Sequence, residues 1–174
     1  MSVRLRPRTA NDGEVLFRIA AELETWEERT AGTPAPLTRE EFDARLSRSA
    51  EGDPVEKGLT FVVDEDGAAV GSAVLFGFDR LARHAEAGVS LLPEARGRGI
   101  GTTAVTQLVE FGFTRCNLRR VHLQAIASNT GAIRAYEKAG FVVEGRLRQH
   151  AWVRGAYEDV VLMGLLRSDH TAGA

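Results

Sequence analysis

Residues 86 to 104 decide the fold, and they read Glu86-Ala-Gly-Val-Ser-Leu-Leu-Pro-Glu-Ala-Arg-Gly-Arg-Gly-Ile-Gly-Thr-Thr-Ala104. An apolar run from Val89 to Leu92 is broken by Pro93, a glycine-rich turn follows from Arg96 to Gly101, and apolar residues then recur at helical spacing. This order predicts a strand, a glycine loop and a helix. Glycine lets the main chain approach a ligand, and the first N–H groups of a helix have no partner within it. The stretch is therefore suited to binding a phosphate.

Two common phosphate-binding patterns do not fit this loop. It lacks the lysine and the spacing of the P-loop, Gly-x-x-x-x-Gly-Lys-Ser/Thr. Gly97, Gly99 and Thr102 follow the dinucleotide pattern Gly-x-Gly-x-x-Gly except at its third glycine, and no acidic residue closes a following strand about 20 residues on. A nucleotide-binding fold of another kind stays an alternative.

Two motifs resemble those of the GNAT superfamily of N-acetyltransferases. Arg96-x-x-Gly99-x-Gly101, after a strand and before a helix, is similar to the family signature Gln/Arg-x-x-Gly-x-Gly/Ala. The stretch from Asn129 to Phe141 is similar to the second motif, Asn-x-x-Ala-x-x-x-Tyr-x-x-x-Gly-Phe. The resemblance covers roughly residues 59 to 166. Within it, Leu147 to Leu166 looks most like the branch of the ribosomal-protein N-terminal acetyltransferases.

Length and composition bound the kind of protein. The 174 residues, 44% of them apolar, suffice for one globular domain, which we expect at residues 1–167, followed by a disordered tail at residues 168–174. A net charge of −2 argues against general nucleic-acid binding. No apolar run approaches the ~20 residues of a membrane span. A single cysteine, Cys116, and the lack of a signal peptide favour a cytoplasmic protein without disulfides.

The order of predicted elements indicates an α/β protein with a mixed sheet, and this order also resembles the GNAT fold. About four helices are expected, beginning after Pro7, at a capping box at Thr38, at Gly99 and at Asn129. Six or seven strands are expected, mostly antiparallel with a central parallel pair, and they are residues 2–6, 59–64, 68–78, 85–92, 119–126, 141–153 and 157–166. Strands 85–92 and 119–126 are the parallel pair, because a helix connects them. Residues 50–58 are predicted to form a connection without regular structure. The last strand, residues 157–166, is predicted to lie at an edge of the sheet, where it could pair with a second copy in a homodimer.

The resemblance implies acetyl-CoA as co-substrate. The loop amides would hold the pyrophosphate, the pantetheine arm would pair beside the strand, and a main-chain amide near Leu91 would polarise the acetyl carbonyl. Asn129 would cap its helix and also bind the arm. The implied cofactor-binding residues are Val89, Ser90, Leu91, Arg96, Gly97, Arg98, Gly99, Ile100, Gly101, Thr102, Asn129 and Tyr136. No metal is expected, because the histidines show no ligand spacing.

Tyr136 and Glu86 are the candidate catalytic residues. By its match to the family tyrosine, Tyr136 would protonate the departing thiolate; the alternative is a ring that only packs on Ile133, one turn back. Glu86 would take the proton of the amine; the alternative is a solvent-facing strand residue. Gln124 stands where some relatives carry a glutamate, and an amide cannot act as this base. Without a strong base, an α-amine would be an easier acceptor than a lysine.

The resemblance therefore implies an N-acetyltransferase that moves an acetyl group from acetyl-CoA to a primary amine by direct transfer in a ternary complex. The acceptor would be a small-molecule or peptide amine. The alternative function is a non-catalytic acyl-CoA-binding sensor or interaction module. The acidic residues from Glu22 to Glu28 have two interpretations: a solvated helix face, or an acidic wall that receives a cationic acceptor.

Overall fold

A computed structural model describes residues 2–29, 35–48 and 53–171. Its strands are β1 (Val3–Arg6), β2 (Leu59–Glu65), β3 (Ala68–Asp79), β4 (His84–Leu91), β5 (Arg120–Ile126), β6 (Val142–Val153) and β7 (Ala156–Leu166). Its α-helices are α1 (Gly13–Ala21), α2 (Leu23–Arg29), α3 (Arg39–Arg48), α4 (Pro54–Lys57), α5 (Ile100–Arg115), α6 (Thr130–Lys138) and α7 (Arg167–Thr171). Short 3-10 turns at Ala10–Asp12 and Pro93–Ala95 precede α1 and follow β4.

The seven strands form one mixed sheet, which confirms the predicted fold class. The strand order is β1-β2-β3-β4-β5-β7-β6; β4 and β5 are parallel, and the other neighbouring pairs are antiparallel. The connection between β4 and β5 contains α5, as the strand–helix–strand order predicts. No helix in the described ranges is both long enough and apolar enough to cross a membrane.

Local sequence signals mark the ends of several elements correctly. At the start of α3, the Glu41 carboxylate accepts the Thr38 N–H at 2.9 Å, and the Thr38 hydroxyl accepts the Glu41 N–H at 3.2 Å. This is the predicted capping box. At the start of α6, the side-chain oxygen of Asn129 accepts the Ala132 N–H at 3.1 Å. These bonds satisfy donors that a helix end would otherwise leave without partners.

The structure differs from the prediction at several places. Strand β7 is not a sheet edge, because it pairs with β5 on one side and β6 on the other. Residues 54–57 form α4 inside the predicted connection, since a proline suits the first turn of a helix; residues 50–52 lie outside the described residues. The expected disordered tail begins as α7, where His170 lies 2.9 Å from Glu110 and its ring packs on Phe113. Residues 172–174 also lie outside the described residues.

The helices divide between the two faces of the sheet. One face carries α5 and the main apolar core, which α6 joins through Ile133 and Tyr136. The central members of this core are Ala85, Ala87, Ile100, Ala104, Leu108, Val121 and Leu123. Ile19 of α1 and Phe42 of α3 are buried but lie outside this core. Since α1 contacts β3, and α2 contacts β4 and β5, these N-terminal helices cover the opposite face.

A gap opens in the middle of the sheet between β4 and β5. The two strands pair over a short stretch, with His84–Glu86 opposite Arg120–His122. Beyond that point β4 continues beside β3 as far as Leu91, and β5 continues beside β7 as far as Ile126. Each wall of the gap is therefore a strand that pairs with a neighbouring strand on its outer side and has no strand partner toward the gap.

Candidate active site

The loop between β4 and α5 presents free main-chain donors. Gly97 and Gly99 adopt φ angles of 71° and 82°, in the left-handed region that residues with a Cβ rarely occupy. Among the described residues, no acceptor takes a hydrogen bond from the N–H groups of residues 97 to 102. A Cβ built on Gly97 or Gly99 would meet nothing within 4 Å. These donors and the positive end of the α5 dipole therefore face open space, an arrangement that fits a pyrophosphate.

The edge of β4 that faces the gap also offers main-chain groups. The Leu92 N–H donates to the Val70 carbonyl of β3 at 3.0 Å. Because successive peptide groups of a strand point to opposite edges, the N–H and C=O of Leu91 and of Val89 point into the gap, where the Leu91 carbonyl already accepts a hydrogen bond from Arg96 Nε at 3.1 Å. An extended pantetheine arm fits there as an added strand. By the same alternation, the main-chain groups of Ser90 face β3.

The side chains of the two loop arginines point away from the free donors. Arg98 forms an ion pair with Glu65 of β2, with 2.6 Å between Nη2 and Oε1. Arg96 donates from Nε to the Leu91 carbonyl at 3.1 Å and reaches α2 with its other nitrogens. The main-chain N–H of Arg96 donates to the Pro93 carbonyl at 3.1 Å. Of the two arginines, Arg98 keeps a free amide for a ligand, whereas Arg96 is engaged by the chain itself.

Tyr136 combines a packed ring with a free hydroxyl. Its partly buried ring packs against the main core, and its centroid lies 6.1 Å from that of Phe141. Within the described chain, no group forms a hydrogen bond with its phenol oxygen, and burial raises the pKa of Tyr136 to about 12. The phenol is therefore protonated at neutral pH and able to donate. The packing interpretation and the acid interpretation are compatible, since they concern different atoms of this side chain.

Glu86 and His122 meet on the other face of the sheet, where the gap begins. Because Ala85 and Ala87 face the main core, alternation along β4 places Glu86 on the side of α2. Its Oε2 lies 4.0 Å from Nε2 of His122, at the last paired register. Burial raises the pKa of the Glu86 carboxyl. Burial also lowers the pKa of His122, and the nearby His84 and Arg120 act in the same direction.

The acidic residues of α2 are partly paired with arginines. Glu28 lies 3.0 Å from Nη1 of Arg96, and the Glu27 carboxylate accepts the Arg154 N–H at 3.4 Å. Glu24 is exposed. The cluster is therefore neither a plain solvated face nor an unpaired acidic wall. Among the described residues, no group of three or more His, Cys, Asp and Glu side chains is arranged to hold a metal ion.

Comparison with known proteins identifies the family. Residues 2–142 match the acetyltransferase (GNAT) domain. The chain belongs to the GNAT acetyltransferase family. This confirms the resemblance seen in the two sequence motifs, so the chain is an acetyltransferase with acetyl-CoA as co-substrate. The free amides of residues 97 to 102 fit that role.

Several relatives of this GNAT acetyltransferase are named for amine substrates. Spermidine N(1)-acetyltransferase of Escherichia coli K12 is 28% identical over 98% of this chain and 89% of its own length. The putative ribosomal N-acetyltransferase YdaF of Bacillus subtilis is 32% identical over 66% of this chain and 61% of its own length. A crystal structure of spermidine N-acetyltransferase from Vibrio cholerae with CoA and spermine superposes with a TM-score of 0.86, at 24% identity, over 97% of this chain and 98% of that one.

Two residues of the site, His122 and Arg154, carry no functional signal in the sequence alone. Their relevance depends on strand register and on the position of α2, neither of which a single sequence specifies. The pairing of Glu86 with His122 across the parallel strands is the signal that would have found the histidine.

We expect Gly99→Ala to weaken coenzyme A binding about tenfold, or about 1.4 kcal/mol. The added Cβ would enter the open space in front of the donors and disfavour the left-handed backbone. Isothermal titration calorimetry measures the dissociation constant. Gly77→Ala is the matched control, because Gly77 has φ 59° and equally open surroundings but lies in β3. If Gly99→Ala and Gly77→Ala bind coenzyme A with equal affinity, the loop does not bind the cofactor.

Proposed function

We propose that this GNAT acetyltransferase acetylates a primary amine of a polyamine-type acceptor, with Tyr136 as the acid and Glu86 as the base. The gap through the sheet carries this proposal. Tyr136 belongs to the face covered by α5 and α6, and Glu86 to the face covered by α2. A thioester lying in the gap would meet an acid on one side and a carboxylate on the other. Both substrates would be bound together, as direct transfer in a ternary complex requires.

The proton transfers follow from this placement. The amine nitrogen attacks the thioester carbonyl carbon, so that a C–N bond forms and the C–S bond breaks. Tyr136 gives its phenol proton to the departing thiolate, and the Glu86 carboxylate takes a proton from the amine. The Leu91 N–H, which points into the gap, is placed to stabilise negative charge on the carbonyl oxygen.

A cationic acceptor suits the charge of the α2 side. Negative charge collects on this side, where Glu86 is joined by the glutamates of α2 and its flank, Glu22, Glu24, Glu27 and Glu28. The two nearest arginines, Arg96 and Arg154, offset this charge only partly. Such a field attracts a flexible polyamine and raises its local concentration. The spermidine acetyltransferases of Escherichia coli and Vibrio cholerae among the relatives support the same acceptor class.

A protein α-amine is the second candidate acceptor. It is favoured by the 32% identity to the putative ribosomal N-acetyltransferase YdaF. It is also favoured by chemistry, because an α-amine is about 10% neutral at pH 7 and so depends less on a base.

An acceptor screen tests the proposal. The purified chain is mixed with acetyl-CoA and with spermidine, a peptide with a free α-amine, or an Nα-blocked lysine, and free thiol is measured. We expect the highest kcat/KM with spermidine. Preference for the peptide would select the second candidate. Tight coenzyme A binding without thiol release on any amine would support the non-catalytic sensor.

We expect Tyr136→Phe to lower kcat about 100-fold, within the usual range for loss of a general acid. The change keeps the packed ring and removes only the proton donor, so the coenzyme A affinity should stay within about twofold. Turnover is followed by thiol release, and affinity by calorimetry. Tyr157→Phe is the control, since Tyr157, the second tyrosine of the chain, is 67% exposed. Unchanged turnover of Tyr136→Phe would exclude Tyr136 as the acid.

We expect Glu86→Gln to abolish the acidic limb of the pH profile of kcat/KM. Glu86 acts as a base only when ionised, and burial raises its pKa, so activity should fall as the pH drops through that raised pKa. The glutamine variant should keep a low activity without this limb. His122→Gln is the matched control. If the acidic limb disappears from the pH profile of His122→Gln and persists in that of Glu86→Gln, His122 rather than Glu86 is the base.

A further inference from the structure

Helix α2 spans the gap between the two halves of the sheet. It contacts both β4 and β5, the two strands that separate beyond Glu86. It lies on the face that carries the Glu86 side chain. An acceptor that approaches that carboxylate from this face would therefore pass α2.

Arg96 fastens α2 to the β4 side of the gap. Its guanidinium donates to the Glu28 carboxylate at 3.0 Å and to the Thr25 hydroxyl at 3.1 Å, while Nε holds the Leu91 carbonyl at 3.1 Å. Thr25 is 2% exposed, so this hydroxyl is a buried polar group whose partner matters. The planar guanidinium of Arg96 thus joins the end of β4 to Thr25 and Glu28, which lie one turn apart on α2.

Arg154 fastens the same helix to the other side. Arg154 lies in the turn between β6 and β7, in the half of the sheet that contains β5. Its main-chain N–H donates to Glu27 at 3.4 Å, and its guanidinium lies 4.0 Å from Glu28. Glu28 therefore lies between two arginines that belong to opposite halves of the sheet.

We infer that Arg96 is a positioning residue for the acceptor: it holds α2 across the gap and does not bind the cofactor phosphates through its side chain. This inference rests on the proposed function for its kinetic consequence, because the acceptor must enter beside α2. It gives Arg96 a role different from the cofactor-binding one expected from the signature motif. Loss of the guanidinium would release α2 and loosen the acceptor site while the free loop amides remain in place.

The test compares Arg96→Gln, Arg96→Lys, Glu28→Gln and the double variant Arg96→Gln/Glu28→Gln with the unmodified chain. The KM for spermidine should rise about tenfold in Arg96→Gln, as expected for loss of a charged hydrogen bond, and less in Arg96→Lys. Values of kcat and of the coenzyme A dissociation constant should stay within about twofold. The double variant should be no worse than Arg96→Gln, since the two residues act through one contact.

Hydrogen–deuterium exchange of residues 23–29 supplies a readout that needs no acceptor. Exchange there should accelerate in Arg96→Gln and in Glu28→Gln. Arg18→Gln is the control, because Arg18 of α1 pairs with Glu94 in the turn after β4 at 3.0 Å through exposed side chains. It should leave the exchange of residues 23–29 and the spermidine KM unchanged.

The coenzyme A affinity and the exchange rates of Arg96→Gln can also overturn the inference. If Arg96→Gln weakens coenzyme A binding about tenfold and leaves exchange of residues 23–29 unaltered, its side chain serves the cofactor and the inference is overturned. If the unmodified chain acetylates no amine, the proposed function fails, but exchange and coenzyme A affinity still decide the role of Arg96.

Discussion

The separation of β4 from β5 is the constraint on which the rest of the site depends. The two strands share a short parallel ladder that ends at Glu86 and His122, and each then follows a different neighbour. A sheet interior normally has its backbone groups paired, so such a separation leaves hydrogen-bonding groups that need another partner. The cofactor loop stands at the open end of the gap, and the candidate base stands at its closed end. Geometry of the main chain, more than any single side chain, thus fixes where a thioester would lie.

The two faces of the sheet keep the candidate acid and base apart. Tyr136 packs against the main core, and burial raises its pKa to about 12, which preserves the proton. Glu86 sits on the half-buried opposite face, where burial also favours the protonated carboxyl, but less strongly than full enclosure would. The environment of Tyr136 suits a proton donor, and that of Glu86 suits a proton acceptor. A single layer of β-strands is enough to separate the two.

Local features of this fold could be predicted from the sequence, and non-local ones could not. The glycine loop, the capping box at Thr38 and the cap at Asn129 depend on residues within one or two turns of each other, so their spacing identifies them. The edge position of β6 depends on which strands find each other across the whole chain, and the prediction placed β7 there instead. The side chain of Arg96 was likewise assigned by its motif, whereas its direction depends on α2, about 70 residues earlier.

The unpaired inner edge of β4 has a consequence for the protein before it meets its cofactor. An exposed row of backbone donors and acceptors is a template for any extended peptide, and proteins usually shield such edges against aggregation. Here α2 spans the gap on one face, and an extended arm of the cofactor bound along β4 would complete the shield. Until such an arm occupies them, the N–H groups of Val89 and Leu91 on this edge are open to pairing with any extended strand.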